Sequence, residues 1–340
     1  MRVKLEDVCE RGSSNIKQSD IIKMSGNYPI YGASGLAGKV NFYHQEQPYV
    51  AVVKDGAGIG RTTLNPAKSS VIGTMQYLIP KKNVLPEYLF YVVSYMHLEK
   101  YYTGATIPHI YFKDYKNEEF NLDNIEKQLE IIDVLGRCKK VIEARKQELV
   151  ELDSLTKARF VEMFGDPRSN PFGFEKKRLK DTCKVITGNT PSRAIEEYYG
   201  DYIEWIKTDN IVSGILNPTQ ATESLSEKGM NVGRTVEKDS ILMACIAGSI
   251  ASIGRVCITD RTVAFNQQIN AVVPEQYNIL FLYVLFQMSK DYLVEDINMA
   301  LKGILSKSKL EEKEFIIPPM DLQEQFSDFV KQVDKSKVAV

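Results

Sequence analysis

The side chains of this sequence best suited to chemistry are polar and basic residues gathered in glycine-rich turns. Arg and Lys can fork onto guanine, and Asn and Gln onto adenine, in the major groove of DNA. For any single turn residue, plain solvation is the competing explanation, so the signal lies in the repeated clustering. The candidate DNA-contacting residues are Lys54, Arg61, Thr62, Thr106, His109, Lys176, Lys177, Thr187, Asn189, Thr190, Lys207, Asn210, Arg255, Asn266 and Gln267.

The motifs that would indicate catalysis are missing from the sequence. DGAGIG at Asp55–Gly60 lacks G-x-G-x-x-G spacing and precedes no helix start, so it predicts a hairpin rather than a nucleotide site. The E-x-K at Glu311–Lys313 has no Pro-Asp partner and lies in a charge run, which disfavours a nuclease. Pro318–Pro319 lack the preceding Asn or Asp and the following aromatic residue of an adenine methyltransferase. We expect no catalytic residue, no metal and no bound cofactor.

Length and composition narrow the class of protein. The 340 residues, 44% of them hydrophobic, suit two domains with ordinary cores. The formal net charge of -1 is low for a free-standing nucleic-acid binder, so DNA binding would require segregated basic residues or basic partner subunits. The five cysteines fit neither a zinc site nor a disulfide framework. With no apolar run of membrane-spanning length and no signal sequence, a soluble cytoplasmic protein is expected.

One unit of sequence occurs twice. The segment Tyr49–Ile142 recurs, with insertions, as Ile241–Val338. The landmarks are IGR at Ile59–Arg61 and Ile253–Arg255, the apolar runs from Tyr88 and Phe281, the EF pairs Glu119–Phe120 and Glu314–Phe315, and the matched triplets Glu126–Gln128 and Gln323–Gln325. Two copies are too few for a solenoid. They predict a pseudo-two-fold molecule with two similar surfaces, which favours recognition of a two-part target over a single active-site cleft.

Each copy combines short strands with helices. Helices are predicted at Pro86–Tyr102 and at about Leu280–Asp291. From Asp123 to Phe164, apolar residues recur at helical spacing without proline, which predicts a rod of about 60 Å, with a local kink allowed at Gly136. A helix of that length cannot bury its apolar stripe alone. A second amphipathic helix of about 30 Å is predicted from Asp321 to the end of the sequence.

Several short motifs, taken in order, resemble the specificity subunit of type I restriction-modification enzymes. They are VKLEDVCE, YPIYGASG, the rod ending in FVEMFGDPRSNPFGF, the restart KRLKDTCKVITGNTPS, DYIEWIKTDNI, and PPMDLQEQ before the last helix. The resemblance covers essentially the whole chain. It implies an α/β protein with two α+β target recognition domains in a pseudo-two-fold arrangement, separated by long helices that form an antiparallel coiled coil. We therefore expect recognition domains at 1–121 and 167–319, a spacer helix at 122–166 and a short distal helix at 320–340.

The resemblance also implies a function. Each recognition domain would read one half of a bipartite, asymmetric site in double-stranded DNA, and the helices would set the gap between the halves. Two methyltransferase subunits would dock on the chain and carry the S-adenosylmethionine chemistry. Motor-nuclease subunits would contribute the ATP- and Mg²⁺-dependent cleavage. The segment TGNTPSR…DYIEWIKTDN has no evident counterpart in the first copy, which carries NYPIYGASGLAGKV instead, so two unrelated half-sites are expected.

The last helix departs from the family pattern, in which the distal helix is comparable to the central one. A shorter helix would leave part of the central stripe uncovered. We expect this uncovered part at roughly Leu149–Phe164, where a partner subunit or a second copy of the chain would cover it. The alternative function is a shortened remnant that binds methyltransferase subunits without productive DNA recognition.

Overall fold

The computed structural model describes residues 1–104, 108–295, 297 and 303–339. The chain divides into two compact units, Met1–Glu143 and Ala144–Val340, which we call the N-terminal and C-terminal units. The boundary falls inside one continuous helix, Ile125–Phe164. Along the described ranges, no helix combines the length and apolar character needed to cross a membrane.

The N-terminal unit is built around two small sheets. Its strands are β1 (Arg2–Lys4), β2 (Cys9–Ser13), β3 (Tyr28–Gly32), β4 (Gly35–Val40), β5 (Tyr49–Val53), β6 (Thr62–Asn65), β7 (Ser70–Val71), β8 (Met75–Pro80) and β9 (Glu119–Asn121). Its helices are α1 (Leu5–Val8), α2 (Gln18–Ile21), α3 (Pro86–Tyr95), α4 (Phe112–Tyr115) and the start of α5 (Ile125–Phe164). The antiparallel sheet has the order β2-β8-β5-β6 and the second sheet the order β4-β3-β7. The run YVAVV of β5 is buried at every position, as an interior strand covered on both faces should be.

The C-terminal unit has the same plan with more strands. They are β10 (Lys176–Arg178), β11 (Cys183–Thr187), β12 (Tyr199–Gly200), β13 (Ile203–Ile206), β14 (Ser224–Leu225), β15 (Thr235–Val236), β16 (Ile241–Ala244), β17 (Ile246–Ala247), β18 (Val256–Ile258), β19 (Val263–Phe265), β20 (Ile269–Pro274), β21 (Gly303–Ile304) and β22 (Glu314–Ile316). Its helices besides α5 are α6 (Glu227–Val232), α7 (Ile279–Met288), α8 (Lys290–Val294), α9 (Lys307–Glu312) and α10 (Met320–Ala339). The main sheets have the orders β11-β20-β16-β18 and β12-β14-β13-β19-β15.

The strand orders confirm the duplication. The sheet β2-β8-β5-β6 corresponds strand for strand to β11-β20-β16-β18, and the pair β1–β9 corresponds to β10–β22. The parallel pair β3–β7 also recurs, as β13–β19. The expectation that DYIEWIKTDN has no counterpart is therefore wrong, because β13 occupies the place of β3. The sequence match failed here because a strand position is specified by burial and pairing, which IEWI and YPIYG satisfy with different side chains.

The helix limits differ in places from those predicted. The helix from Pro86 ends at Tyr95 rather than Tyr102, because His97 adopts a left-handed conformation (φ 51°) that a right-handed helix cannot contain. The predicted helix at Leu280–Asp291 is two helices, α7 and α8, which meet at Ser289. The long rod is confirmed as α5, which continues through Gly136 as one helix.

In the C-terminal unit, α10 runs antiparallel to the end of α5. The rings of Phe160 and Phe326 are 5.5 Å apart, and Asp153 lies 2.7 Å from Lys337, so residue numbers fall along α5 as they rise along α10. The antiparallel pairing implied by the resemblance is confirmed. The expectation that the stripe is uncovered up to Phe164 is wrong, because Phe160 and Phe164 are fully buried. An antiparallel partner that starts beside the end of α5 covers that end first. Within the predicted segment, Leu149, Val150, Leu155 and Val161 are exposed, so the expectation is wrong for Phe160 and Phe164 but not for these positions. Most exposed apolar residues of α5 precede Asp153; they are Ile125, Leu129, Val134, Leu135, Val141, Ile142, Leu149 and Val150.

Candidate nucleic-acid interface

The turn between β5 and β6 gathers several of the candidate residues in the N-terminal unit. Gly60 donates its N–H to the carbonyl of Val53 (2.9 Å) and has a φ of 80°, which glycine adopts without strain. A side chain at this glycine would also meet the backbone N of Glu99 at 2.6 Å. DGAGIG therefore forms a close-packed turn between two strands, which confirms the predicted hairpin.

Asp55 draws two of the candidate residues together. Its carboxylate lies 2.6 Å from His109 Nδ1 and 3.9 Å from Lys54 Nζ. The Lys54 carbonyl accepts a hydrogen bond from the N–H of Ile110 (2.9 Å), which fixes the segment carrying His109 against the turn. The half-buried ring of His109 stacks on that of Tyr111. The result is a small cluster with one cation, one imidazole and one carboxylate at the end of β5.

The other candidates of this unit have different settings. Thr62 donates its hydroxyl to the carbonyl of Gly60 (3.2 Å), and Arg61 donates to the carbonyl of Ala33 (2.9 Å). Thr106 lies outside the described residues.

In the C-terminal unit, the loop after β11 and the turn after β19 meet. Thr187 donates to the side chain of Asn270 (2.7 Å), and Thr190 is hydrogen-bonded to Gln267. The Asn189 side chain donates to the carbonyl of Val232 (2.9 Å). Both Thr190 and Gln267 are exposed, so these interlocked turns present hydroxyl and amide groups to solvent. Such groups can both donate to and accept from base edges and phosphates.

A cluster of charged and aromatic side chains lies beside these turns. The guanidinium of Arg193 lies 4.4 Å from the centre of the Tyr199 ring and 2.6 Å from the carboxylate of Glu223. Glu223 also pairs with Lys207, whose ammonium lies 5.2 Å from the centre of the Trp205 ring. Hydrogen bonds from Lys207 and then Arg193 lower the pKa of Glu223, so it stays ionised. We call Arg193, Tyr199, Trp205, Lys207 and Glu223 the Glu223 cluster.

Sequence reasoning found only part of the Glu223 cluster. Lys207 was a candidate, whereas Trp205 is a core residue that is only 3% exposed. Arg193 closes the TGNTPSR motif, which was available as a signal. Glu223 lies 30 residues further on, so only the fold brings its carboxylate to Arg193.

Two candidate asparagines are committed to backbone turns. The buried Asn210 side chain accepts from the N–H of Lys207 (3.0 Å) and donates to the carbonyl of Gln220 (3.1 Å). The buried Asn266 accepts from the N–H of Gln268 (3.0 Å). These bonds shape the turns that carry exposed neighbours.

The remaining candidates lie apart from one another. Lys176 and Lys177 are on β10, where Lys176 donates to the carbonyl of Arg168 (2.9 Å) and Lys177 lies 3.4 Å from Glu175. The guanidinium of Arg255 donates to the carbonyls of Ser252 and Thr208, each at 3.3 Å. Whether any candidate contacts DNA stays a prediction.

The cysteines are placed as unreactive core groups with one exception. Burial raises the pKa of the thiols to about 12 at Cys9, Cys183, Cys245 and Cys257. Such thiols are protonated at neutral pH and are poor nucleophiles. Cys138 is exposed on α5. Within the described ranges, no three His, Cys, Asp or Glu residues are grouped to hold a metal ion.

Comparison with known families shows which family the chain belongs to. The model of the type I restriction modification DNA specificity domain matches the chain twice, over residues 1–153 and 171–340. The chain belongs to this family. The two matches follow the duplication seen in the strand orders, and they confirm the resemblance drawn from the motifs.

Relatives of known function agree with membership of the specificity-domain family. The chain is 35% identical over 117 residues to the Type I restriction enzyme HindI specificity subunit of Haemophilus influenzae, covering 34% of this chain and 24% of the relative. It is 26% identical over 281 residues to the MjaIX specificity subunit of Methanocaldococcus jannaschii, covering 75% of this chain and 63% of the relative. The chain thus spans less than two thirds of the length of each relative.

Solved structures share the fold of this specificity-domain protein. The S subunit of a type I restriction-modification system from M. genitalium aligns over 100% of this chain and 90% of its own, with a TM-score of 0.63 at 14% identity. A chain from work on the assembly and conformational transition of the type I R-M system aligns over 100% and 91%, with a TM-score of 0.55 at 15% identity. At these identities the likeness establishes the fold.

Proposed function

We propose that this chain is the DNA-recognition subunit of a type I restriction-modification complex and is not itself an enzyme. Each unit reads one half of a bipartite, asymmetric site in double-stranded DNA, and α5 sets the gap between the halves. Partner methyltransferase subunits supply the S-adenosylmethionine chemistry, and motor-nuclease subunits supply the ATP- and Mg²⁺-dependent cleavage. The complex acts in the cytoplasm.

The observation that carries this proposal is one scaffold presenting two different sets of side chains. The four-stranded sheets of the two units have equivalent orders, and the parallel pair β3–β7 recurs as β13–β19. At the end of β5 the N-terminal unit offers Lys54, Asp55 and His109, whereas the C-terminal unit carries the Glu223 cluster near the end of β13. Base sequence is read by the side chains that reach the grooves, while the scaffold fixes register and orientation. Two related scaffolds that present different side chains near their strand ends are suited to two different half-sites.

The exposed apolar residues of α5 support docking of the methyltransferase subunits on the helix. Val141, Ile142 and Val150 are each more than half exposed, on a helix whose other exposed positions are mostly charged. A long helix keeps such a stripe when a helix of another chain packs on it. A partner that brings basic residues would also offset the formal net charge of -1 when the assembly closes on DNA.

The proposal is tested by co-expressing the chain with a type I methyltransferase subunit in a host free of adenine methylation. We expect N6-methyladenine at a single split motif, with two short half-sites around a fixed gap. Methylation at a continuous short motif, or at sites that do not change when the chain is omitted, would contradict the proposal.

One observation favours a second candidate, an interaction protein that binds methyltransferase subunits without productive DNA recognition. Apolar residues of α5 are exposed and suit contact with another protein, whether or not the complex then binds DNA. The same co-expression separates the two candidates. A stable complex that produces no methylation supports the second, and methylation at a split motif supports the first.

A further inference from the structure

The turns that carry Arg61 and Arg255 are built alike in the two units. In each turn, the N–H of the last residue of the preceding strand donates to the carbonyl of the arginine. The N–H of the glycine before the arginine donates to the carbonyl of that same strand residue. The bonds are Val53 N–Arg61 O at 2.9 Å, Gly60 N–Val53 O at 2.9 Å, Ala244 N–Arg255 O at 2.9 Å and Gly254 N–Ala244 O at 2.8 Å. The glycines have φ values of 80° and 77°. The arginine therefore leaves the turn at the same point and in the same direction.

The two guanidinium groups also reach equivalent targets. Arg61 donates to the carbonyl of Ala33 and Arg255 to that of Thr208. In the parallel pairs, Ile30 of β3 is opposite Ser70, and Trp205 of β13 is opposite Ala264. Ala33 lies three residues after Ile30, and Thr208 lies three residues after Trp205. Each arginine thus binds a carbonyl just beyond β3 or β13, at the same position relative to the parallel pair.

This equivalence holds although the surroundings differ. The chain between strand and arginine is longer in the C-terminal unit, and the turns that follow β3 and β13 have different sequences. In the described part of the chain, neither guanidinium forms an ion pair with a carboxylate. The hydrogen bonds to backbone carbonyls are therefore what hold each guanidinium in place. Because the contact occurs in both units although their sequences differ, we attribute it to the backbone segment that it holds, at Ala33 or Thr208.

The segment held by Arg255 positions part of the Glu223 cluster. Thr208 opens a 3-10 turn, Thr208–Asn210, that directly follows Lys207. The Asn210 side chain closes that turn by accepting from the N–H of Lys207. Fixing the carbonyl of Thr208 therefore fixes the backbone from which Lys207 reaches Glu223. Ala33 likewise opens the turn between β3 and β4 in the N-terminal unit.

We infer that Arg61 and Arg255 are positioning residues, each holding the turn beyond β3 or β13 so that its neighbours face one half-site. This inference rests on the proposed DNA-reading function for its consequence, but the contact itself is a property of the free protein. It assigns the two arginines a role different from phosphate or base contact. We expect lysine to replace Arg255 poorly. Two separate nitrogens of the planar guanidinium, Nε and Nη2, bond Ser252 and Thr208, whereas lysine has one nitrogen on a flexible chain.

The test compares Arg255→Lys, Arg255→Ala and the exposed control Lys238→Ala. The first measurement is hydrogen exchange of the amides of residues 208–211 in the free chain. We expect exchange about tenfold faster in both Arg255 variants and unchanged in the control, because loss of the anchor lets the turn open. Unchanged exchange in Arg255→Lys would overturn the inference without any reference to DNA.

The second measurement is DNA binding by the assembly with methyltransferase subunits at several salt concentrations. We expect Arg255→Lys and Arg255→Ala to reduce discrimination between bases at one half-site equally, by about tenfold, and to leave the salt dependence of binding unchanged. If Arg255 instead contacts a phosphate, Arg255→Lys should retain binding, and Arg255→Ala should lower the slope of log affinity against log salt by about 1. That result would overturn the inference but leave the proposed function standing. If the unaltered assembly shows no sequence-specific binding, the proposed function is contradicted. The exchange experiment on the free chain still tests the contact of Arg255 in that case.

Discussion

The two units of the chain differ least in the bonds that hold their backbones and most in the side chains that their turns present. Gln128 of α5 accepts from the N–H of Leu85 (2.8 Å) at the start of α3, and Gln323 of α10 accepts from the N–H of Asn278 (2.9 Å) at the start of α7. Both glutamines are buried. In the described residues, the turns that carry the candidate DNA-contacting residues have different side-chain contacts in the two units, apart from those of Arg61 and Arg255. The two units therefore share the hydrogen bonds of two buried glutamines and two arginines to the backbone, while the other side chains of their turns differ.

One ion pair occurs in both units with its charges exchanged. Lys100 lies 2.5 Å from Glu118 in the N-terminal unit, and Glu295 lies 3.2 Å from Lys313 in the C-terminal unit. Glu118 and Lys313 both directly precede the strand that pairs with the first strand of its unit. In each pair the lysine also lies over a tyrosine ring, Tyr101 or Tyr292. The pairing has therefore been kept while its polarity has not.

The largest effect on stability is expected in α5, when a substitution in its buried end, Phe160→Ala, is compared with one in its exposed part, Leu135→Ala. The ring of Phe160 is fully buried against Phe164, Phe281 and Phe326. We expect Phe160→Ala to lower the free energy of unfolding by about 3–5 kcal/mol. Leu135→Ala, on the exposed part of α5, should cost less than about 1 kcal/mol. Urea denaturation measures both, and equal losses would show that the exposed part is covered in solution.

The glutamine anchors should be the next most costly to remove. Gln128→Ala and Gln323→Ala each remove two hydrogen bonds to backbone groups that are buried or partly buried. We expect each to lower the free energy of unfolding by about 1–3 kcal/mol. The matched control is Gln325→Ala, two residues further along α10 and exposed. Denaturation followed in the three variants checks this. A loss at Gln325 as large as at Gln323 would contradict the structural equivalence.

Independence of the half-sites is tested by paired substitutions in the two units. We expect Lys54→Ala with Arg61→Ala to weaken DNA binding by about tenfold and to alter one half of the methylated motif. Lys207→Ala with Arg255→Ala should alter the other half only. Sequencing of N6-methyladenine sites reads out both halves in each variant. Changes in both halves from either pair would show that the units do not read DNA separately. Unchanged binding and motif would show that neither Lys54 nor the turn held by Arg61 takes part in reading that half.

The smallest effect is expected at the exchanged ion pair of the N-terminal unit. Lys100 is half exposed, so Lys100→Met should cost less than about 1 kcal/mol at neutral pH. Burial raises the pKa of Glu118, but hydrogen bonds from Lys100 and Tyr101 outweigh it and leave the pKa lowered. A lowered folded-state pKa gives stability that is present above the unfolded pKa and lost as pH falls through the folded one.

Stability measured from pH 7 down into the acid range should therefore show the wild type and Lys100→Met converging. Lys313→Met is the comparison in the other unit. Because the side chain of Lys313 is 8% exposed, we expect the larger loss there. Equal and pH-independent losses in the two variants would mean that neither pair contributes through its charge.

Much of the fold was predictable from the sequence because it depends on periodicity. The apolar spacing from Asp123 to Phe164 predicted α5 almost to the residue, and the two IGR turns predicted the duplicated hairpin. The matched triplets were out of register by two residues, since the structure pairs Gln128 with Gln323 rather than Gln325. On a helix surface, a polar residue that binds a neighbouring backbone looks the same in sequence as one that faces water.

The site was less predictable because it depends on pairs that are distant in sequence. Nothing in the spacing joins Arg193 to Glu223 or His109 to Asp55, and nothing equates YPIYG with IEWI. The polar composition of the turns indicated where side chains gather, but not which of them hold the backbone. Asn210 and Asn266 illustrate this, since both are buried within their turns.

The exchanged ion pair has a consequence for chimeras that join the two units. A junction between the two members of the pair would place Lys100 beside Lys313 in one product and Glu295 beside Glu118 in the other. Junctions outside this interval keep opposite charges together and avoid the repulsion. Chimeras that differ only in the position of their junction should therefore differ in their free energy of unfolding.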